Sequence, residues 1–202
     1  MRWRRCEGME KQEILAMYED AGALLSGHFI LSSGRHSARY LQSALVLMDI
    51  NHATQLADEL IAKVSQPEAI DMVVAPAIGG LVIGQEVARR MNKPFIFTER
   101  KAGEMQLRRG FSIPDGTRIL VVEDVITTGG SVNECIAVIR AHGGNPTQIV
   151  AVVDRAPAST DRFDLPYHTA LELDVETYAA DACPLCREGV LPAVKPGSRG
   201  AL

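Results

Sequence analysis

The sequence has no apolar run approaching the roughly 20 residues that cross a bilayer. Its opening stretch MRWRRCEGMEK carries basic residues with no apolar segment behind them. It therefore reads as cytoplasmic, and the residues before Met9 read as a leader outside the folded domain. A surplus of positive charge is also missing: 21 Lys and Arg stand against 25 Asp and Glu, a formal net charge of −4, with a pI near 5.7. Binding to a nucleic-acid backbone usually needs a clustered cationic excess, so neither a nucleic acid nor a membrane is an expected partner. Four cysteines, Cys6, Cys135, Cys183 and Cys186, are too few and too unevenly placed for a disulfide framework in 202 residues. Internal repeats and low-complexity tracts are absent. So are the Gly-Lys-Ser/Thr ending of a nucleotide P-loop and the G-x-G-x-x-G dinucleotide pattern.

What is present is enough apolar matter, 47% of residues, for one compact core with a small appended subdomain. MEKQEILAMYEDAGALLSG carries Ile14, Leu15, Tyr18 and Leu25 at broadly helical spacing, predicting a helix that ends near Ser26. HFILSSGRHSARYLQSALVL places a polar turn between two apolar arms and reads as a hairpin or a strand, loop, strand unit. In INHATQLADELIAKVSQ, Ala53, Leu56, Leu60, Ile61 and Val64 share one helical face. After Pro67 the rhythm changes to short apolar runs, DMVVAPA, PFIFTER, RILVVED and QIVAVVDR, most of them followed by a helical pattern. Strands without polar alternation, each leading into a helix, predict an α/β fold with a parallel sheet buried on both faces. The last part adds one more strand-like run and a tail rich in Pro and Gly.

Within ILVVEDVITTGGS, Ile119 to Val122 reads as a buried strand, Val132, Ile136 and Ile139 begin a helix face, and Glu123 to Gly130 is the loop between them. Such loops lie at the carboxyl edge of the sheet, where open α/β folds bind ligands, and the following helix presents unpaired N–H groups. Thr127, Thr128, Gly129, Gly130 and Ser131 add hydroxyls and close backbone approach, a cradle for a phosphate. Glu123 and Asp124 would repel that phosphate, yet they can accept hydrogen bonds from vicinal hydroxyls and offset a developing cation. A ribose 5-phosphate meets both requirements. Two acids alone would more simply end a strand and cap a turn; TTGGS in register behind them favours the ligand.

VVEDVITTGGS resembles the phosphoribosyl pyrophosphate (PRPP) motif of type I phosphoribosyltransferases. The resemblance implies a central, mostly parallel sheet flanked by helices with a small hood subdomain. On this chain that means a single domain, 1–202, with 1–45 and the C-terminal part forming the hood and 67–155 the PRPP-binding core. HFILSSGRHSARY, FTERKAGEMQLRRGF and VVDR are similar, in order and separation, to the orotate phosphoribosyltransferase family. That family transfers phosphoribose from PRPP to orotate in pyrimidine synthesis, with Mg2+ bound mainly through substrate and water and no metal ligands from the protein.

Carried over by position, Glu123, Asp124, Val125, Ile126 and Thr127 to Ser131 would hold the ribose and 5-phosphate, with Glu123 and Asp124 stabilising the cationic sugar. Ala77, Ile78, Gly79 and Gly80 would line the diphosphate. Thr127 and Arg155 would contact orotate beneath a hood supplying Ser32, Ser33 and Tyr40. Orotate is an anion, so a fixed guanidinium suits it; taken alone, Arg155 reads equally as a partner of Asp154 or a solvated strand end. For Tyr40 alone, core packing is the simpler reading. Better-known members carry a lysine where Gly79 stands, so some cation must come from elsewhere. ERKAGEMQLRRG lacks helix or strand periodicity and reads as a mobile basic loop, whose Arg100 and Lys101 would bind PRPP. In the family this loop reaches the neighbouring subunit's site in a homodimer, and Lys101 would be its catalytic cation. Gly103, Glu104 and Met105 stand where the family's usual loop lysine and histidine fall.

Two other classes share the PRPP motif. A purine phosphoribosyltransferase would differ at Arg155 and the SSGRHS loop, and a non-catalytic PRPP sensor would tolerate loss of the basic loop. Cys183-Pro-Leu-Cys186 offers only two of the four ligands a structural zinc needs. The five histidines show no ligand spacing along the chain, so no protein metal site is expected.

Overall fold

The computed structural model describes residues 8–31, 34–156 and 162–196. The leader, Cys6, Ser32 and Ser33 lie wholly or largely outside them. The chain opens with α1 (Lys11–Asp20), where the Glu10 N–H donates to the Glu13 carboxylate at 2.9 Å and Ile14 and Tyr18 are buried. The helix stops well before the expected Ser26. Gly22 takes φ +60°, and Leu24 and Leu25 are drawn into β1 (Leu24–Ile30), paired antiparallel with Leu41 and Tyr40 of β2 (His36–Leu41). A register shift between Ser26 and Phe29 bends β1.

After α2 (Ser43–Leu47) comes α3 (Ile50–Ala62), capped by Asp49, whose carboxylate accepts from the N–H groups of Asn51 and His52. Then follow β3 (Met72–Pro76), α4 (Gly80–Met91), β4 (Phe95–Lys101), β5 (Glu104–Leu107), β6 (Arg118–Ile126), α5 (Gly130–Ala141), β7 (Asn145–Asp154), β8 (Tyr167–Glu172), β9 (Thr177–Tyr178) and α6 (Pro184–Glu188).

A six-stranded sheet runs in the order β5-β4-β3-β6-β7-β8. Every pair is parallel except β4 with β5. Alternate residues on its strands feed opposite faces. Leu120, Val122, Val150 and Val152 join α1, α3 and α4 in one core, and Ile119, Val121, Ile149 and Ala151 join α5 in the other. A separate three-stranded sheet, β1-β2-β9, stands over this body. No helix among the described residues is long and apolar enough to cross a membrane.

Two expectations about connections change. The segment 99–110, expected as a mobile loop, is a β-hairpin as far as Leu107. Thr98 to Lys101 ladder with Leu107 to Glu104, and Ala102 and Gly103 turn with φ 53° and 91°. An edge hairpin with one solvent face need not be apolar, which is why its charged residues hid it. Likewise β6 does not end at Val122. The long β7 keeps it paired through Glu123↔Ala151, Val125↔Val153 and Ile126↔Asp154, so the loop proper shrinks to 127–129.

Candidate active site

The chain leaves β3 towards β4 on one side of the sheet and returns to β6 on the other, so the carboxyl ends of β3 and β6 flank the point where strand order reverses. Ligands of open α/β sheets bind in the crevice at such a point. Both segments the sequence singled out lie here. The turn after β3 contains Ala77 and Ile78, joined by a cis peptide, and delivers Gly79 and Gly80 to the start of α4.

The packing of that turn on β6 accounts for both glycines. A Cβ on Gly79 would lie 2.3 Å from Asp124 Oδ1, and one on Gly80 would lie 3.0 Å from the Val122 carbonyl and 3.1 Å from Glu123 Oε1. The site thus holds two adjacent acids directly against bare backbone. Glu123 is buried and its Oε1 accepts from the Asp124 N–H at 3.1 Å. Burial first, then the neighbouring Asp124, drives the Glu123 carboxyl well above the usual range. Burial also raises half-buried Asp124, partly opposed by hydrogen bonds from Glu123 and the Val125 backbone. A pair of acids held this way gains from the arrival of positive charge between them and hydroxyl donors beside them.

Val125 and Ile126 place their side chains in the two cores and leave only their backbone to the loop that follows. Ile126 is 1% exposed within the α5-side core and Val125 packs on the opposite core. Thr127, Thr128 and Gly129 then turn into α5, whose first residues are Gly130 and Ser131. Gly129 has φ +79°, and a Cβ there would lie 2.9 Å from the Phe163 ring, so position and conformation both demand glycine.

Arg155 follows β7 immediately, its N–H donating to the Ile126 carbonyl at 2.9 Å, which sets it beside Thr127. Its guanidinium is not the partner of Asp154. Arg162 holds that role: its Nη1 donates to Asp154 Oδ1 at 3.0 Å, its Nη2 to Oδ2, and Nη1 also to the Thr127 carbonyl at 2.8 Å. Nor is Arg155 solvated, being 6% exposed. Its Nη2 reaches the Arg39 carbonyl at 3.1 Å and Ser37 Oγ at 3.4 Å, both on β2, and its Nε has no hydrogen-bond partner among the described residues. Burial pulls the Arg155 pKa down, the expected result for a guanidinium removed from water without a carboxylate. Tyr40 belongs to the same group. Its ring packs on Phe29 with centroids 5.6 Å apart, and its phenol pKa is raised by burial and then by Asp124, with Arg155 opposing. Arg35, immediately before β2, is tied to Thr177 of β9 through Oγ1 at 2.8 Å and the carbonyl at 2.6 Å.

The structure therefore brings Glu123, Asp124, the Ala77–Gly80 turn, Thr127, Tyr40 and Arg155 to one cleft. It does not bring the basic hairpin to Glu123 and Asp124 of the same chain, whose neighbours are the Ala77–Gly80 turn and Tyr40. Arg100 forms an ion pair with Glu134 of α5 at 2.5 Å, Arg108 and Arg109 both engage Glu99, and Lys101 stands exposed with no ion pair among the described residues. Sequence reasoning missed Arg162, whose side chain is 6% exposed and lies over Phe163 and Tyr167. It fixes the Thr127 backbone to the end of β7. It also missed Ser37 and the Arg39 carbonyl, which orient Arg155.

The fold and this cleft define a class of protein. Residues 43–172 match the family model described as phosphoribosyl transferase domain. The chain is 47% identical over 191 residues to orotate phosphoribosyltransferase of Caldicellulosiruptor bescii, covering 95% of this chain and 99% of that protein. It is 48% identical over 193 residues to the enzyme of that name from Sphingopyxis alaskensis, covering 95% and 98%. The crystal structure of orotate phosphoribosyltransferase from Aeropyrum pernix aligns with a TM-score of 0.66 at 29% identity, covering 79% of this chain and 93% of that one. The chain belongs to the orotate phosphoribosyltransferase family.

Proposed function

We propose that this chain transfers the 5-phosphoribosyl group of PRPP to orotate, giving orotidine 5′-phosphate and diphosphate in pyrimidine nucleotide synthesis. The observation that carries the choice of base is Arg155. A buried guanidinium with an unpartnered Nε–H, beside Thr127 and facing no acid among the described residues, is a standing cost unless an anion completes it. Orotate offers a carboxylate that can take paired N–H donors, and neutral purines offer none.

The remaining residues divide the work. The N–H groups at the start of α5, with the hydroxyls of Thr127, Thr128 and Ser131, receive the 5-phosphate. Backbone at Ala77–Gly80 cradles the diphosphate, and Gly79 lets Asp124 lie against it. As the bond to diphosphate loosens, positive charge grows on the ribose. Asp124 and Glu123, kept from ionising easily by burial, then become favourable counter-charges where the cation forms. Mg2+ suits this donor set of paired carboxylates and substrate oxygens, and when bound it neutralises the leaving group. Glu123 and Asp124 would reach it through ribose hydroxyls and water.

The hairpin supplies the missing cation from a second subunit. Support comes from its position at the sheet edge, the exposed Lys101, and the absence of a side chain at Gly79 that could bring positive charge to the diphosphate within one chain. The working form is thus a homodimer, with Arg100 and Lys101 serving the partner's PRPP. The small-molecule substrates, the acidic pI and the absence of a membrane-crossing helix among the described residues support a cytoplasmic location.

Incubation with PRPP, Mg2+ and, separately, orotate, uracil, adenine, guanine and hypoxanthine tests the reading by ultraviolet absorbance. Loss of orotate alone is expected, and faster consumption of a purine would overturn it.

A further inference from the structure

The Cys183-x-x-Cys186 pair was set aside above for want of two more ligands, and the fold supplies them. His28 of β1, His36 of β2, Cys183 and Cys186 place one ligand atom each within 4.8 Å of all the others. We propose that these four residues form a structural zinc site that clamps the C-terminal tail to the hood sheet. This inference is independent of the substrate reading.

Three nitrogen–sulfur distances lie close to the edges of a tetrahedral site. With Zn–N of about 2.0–2.1 Å and Zn–S of about 2.3 Å, a tetrahedral site separates N from S by roughly 3.6 Å. Here Cys183 Sγ lies 3.7 Å and Cys186 Sγ 3.6 Å from His28 Nε2, and Cys186 Sγ lies 3.3 Å from His36 Nδ1. The two ring nitrogens are 2.8 Å apart, a contact that widens by about half an ångström to reach the N–N edge of roughly 3.3 Å.

The surroundings favour a metal as well. His28 Nδ1 lies 3.2 Å from the Leu191 carbonyl, so the proton belongs on Nδ1 and the Nε2 lone pair points into the cluster. A backbone carbonyl orienting a histidine ligand is the usual outer partner of a zinc site. Binding releases the two thiol protons to solvent. Two thiolates, two neutral imidazoles and Zn2+ then sum to zero charge, which a buried site tolerates. His28, His36 and Cys183 are buried and Cys186 is exposed, so an ion can enter from the Cys186 side.

Among the described residues the tail has few other anchors. The five residues of α6 include none that is buried, and Val190, Leu191 and Val194 are exposed. Apart from the cluster, the tail is held on β1 by Val194, which exchanges backbone hydrogen bonds of 2.8 Å with Ile30 and His28. Small, poorly buried pieces of this kind are ordinarily held by disulfides or metals. Soft thiolates with imidazoles in tetrahedral array select zinc over Mg2+ or Ca2+.

The test uses the full chain, without a polyhistidine tag, purified under reducing conditions. Inductively coupled plasma mass spectrometry should find about one zinc per chain, and Cys186→Ala should lower zinc affinity at least tenfold while circular dichroism shows it folded. Replacement by Co2+ should give the intense visible bands of a tetrahedral cobalt site with thiolate ligands. Hydrogen exchange in residues 183–196 should quicken when zinc is removed. A folded parent that takes up no zinc on reconstitution would overturn the proposal. So would undiminished zinc in Cys186→Ala, a cobalt spectrum without thiolate character, a tail equally protected without metal, or a Cys183–Cys186 disulfide as the stable form under the same conditions.

Discussion

Arg155→Ala separates a guanidinium that reads the base from one that merely props β2. In the described structure the side chain makes two contacts to β2 and leaves Nε unsatisfied. If that free donor edge binds the orotate carboxylate, its loss removes a charge-assisted interaction of about 1.5–3 kcal/mol. At about 1.4 kcal/mol per decade, the KM for orotate should rise roughly ten- to a hundred-and-fifty-fold. The PRPP side of the cleft is built from β3, β6 and α5, so the KM for PRPP should move by less than about threefold. The lost contacts to Ser37 and the Arg39 carbonyl have their own cost, about 1 kcal/mol each, lowering Tm by a few degrees in a chain of this size. Arg155→Lys keeps the charge without the planar fork and should fall between the two. The assay is initial-rate kinetics with each substrate varied in turn, alongside a thermal melt. Equal loss of affinity for both substrates, tracking the fall in Tm, would refute the assignment and make Arg155 structural.

Other consequences follow from the same cleft. Asp124→Asn should keep the fold and lower turnover at least a hundredfold, since it removes charge facing the developing cation; near-normal turnover would contradict that role. Gly79→Ala puts a methyl where Asp124 Oδ1 now lies and must displace the carboxylate, so kcat should fall tenfold or more with little change in Tm, and an unaffected kcat would count against the packing described. Glu123 has a folded pKa raised above its unfolded value near 4.3. The folded state thus binds the extra proton, and its stability falls as pH rises from about 4.3 through the raised value. Glu123→Gln should therefore gain Tm over the parent across that window in the ligand-free protein, and parallel Tm curves would contradict the burial argument. Mixing Lys101→Ala chains with Asp124→Asn chains should restore at most half the parent activity, and subunit exchange without any recovery would show that the hairpin serves its own chain.

How far this was legible in the sequence depends on the range of each signal. VVEDVITTGGS could be read because strand, acids, hydroxyls and helix start lie consecutively, and the buried runs of β3, β6 and β7 announce a parallel sheet without help. Boundaries were harder: the helical pattern through Leu25 hid the break at Gly22, and only pairing with β7 shows that Glu123 to Ile126 continue a strand. The hairpin was read as a loop because an edge strand needs no apolar alternation. Arg155 could be suspected, but its isolation could not, since it depends on Arg162, eight residues beyond Asp154, taking that carboxylate. The His28, His36, Cys183 and Cys186 cluster was invisible for the same reason. Its ligands come from segments some 150 residues apart, brought together when β9 pairs with His36 and Ser37 of β2 and Val194 bonds to β1.

That one cleft joins phosphoribose to orotate can be read from the stoichiometry of its products. The full chain, incubated with PRPP, orotate and Mg2+ and followed by mass spectrometry, should form one orotidine 5′-phosphate and one diphosphate for each orotate consumed. Diphosphate released without orotidine 5′-phosphate, or no turnover of orotate by the folded protein, would contradict it.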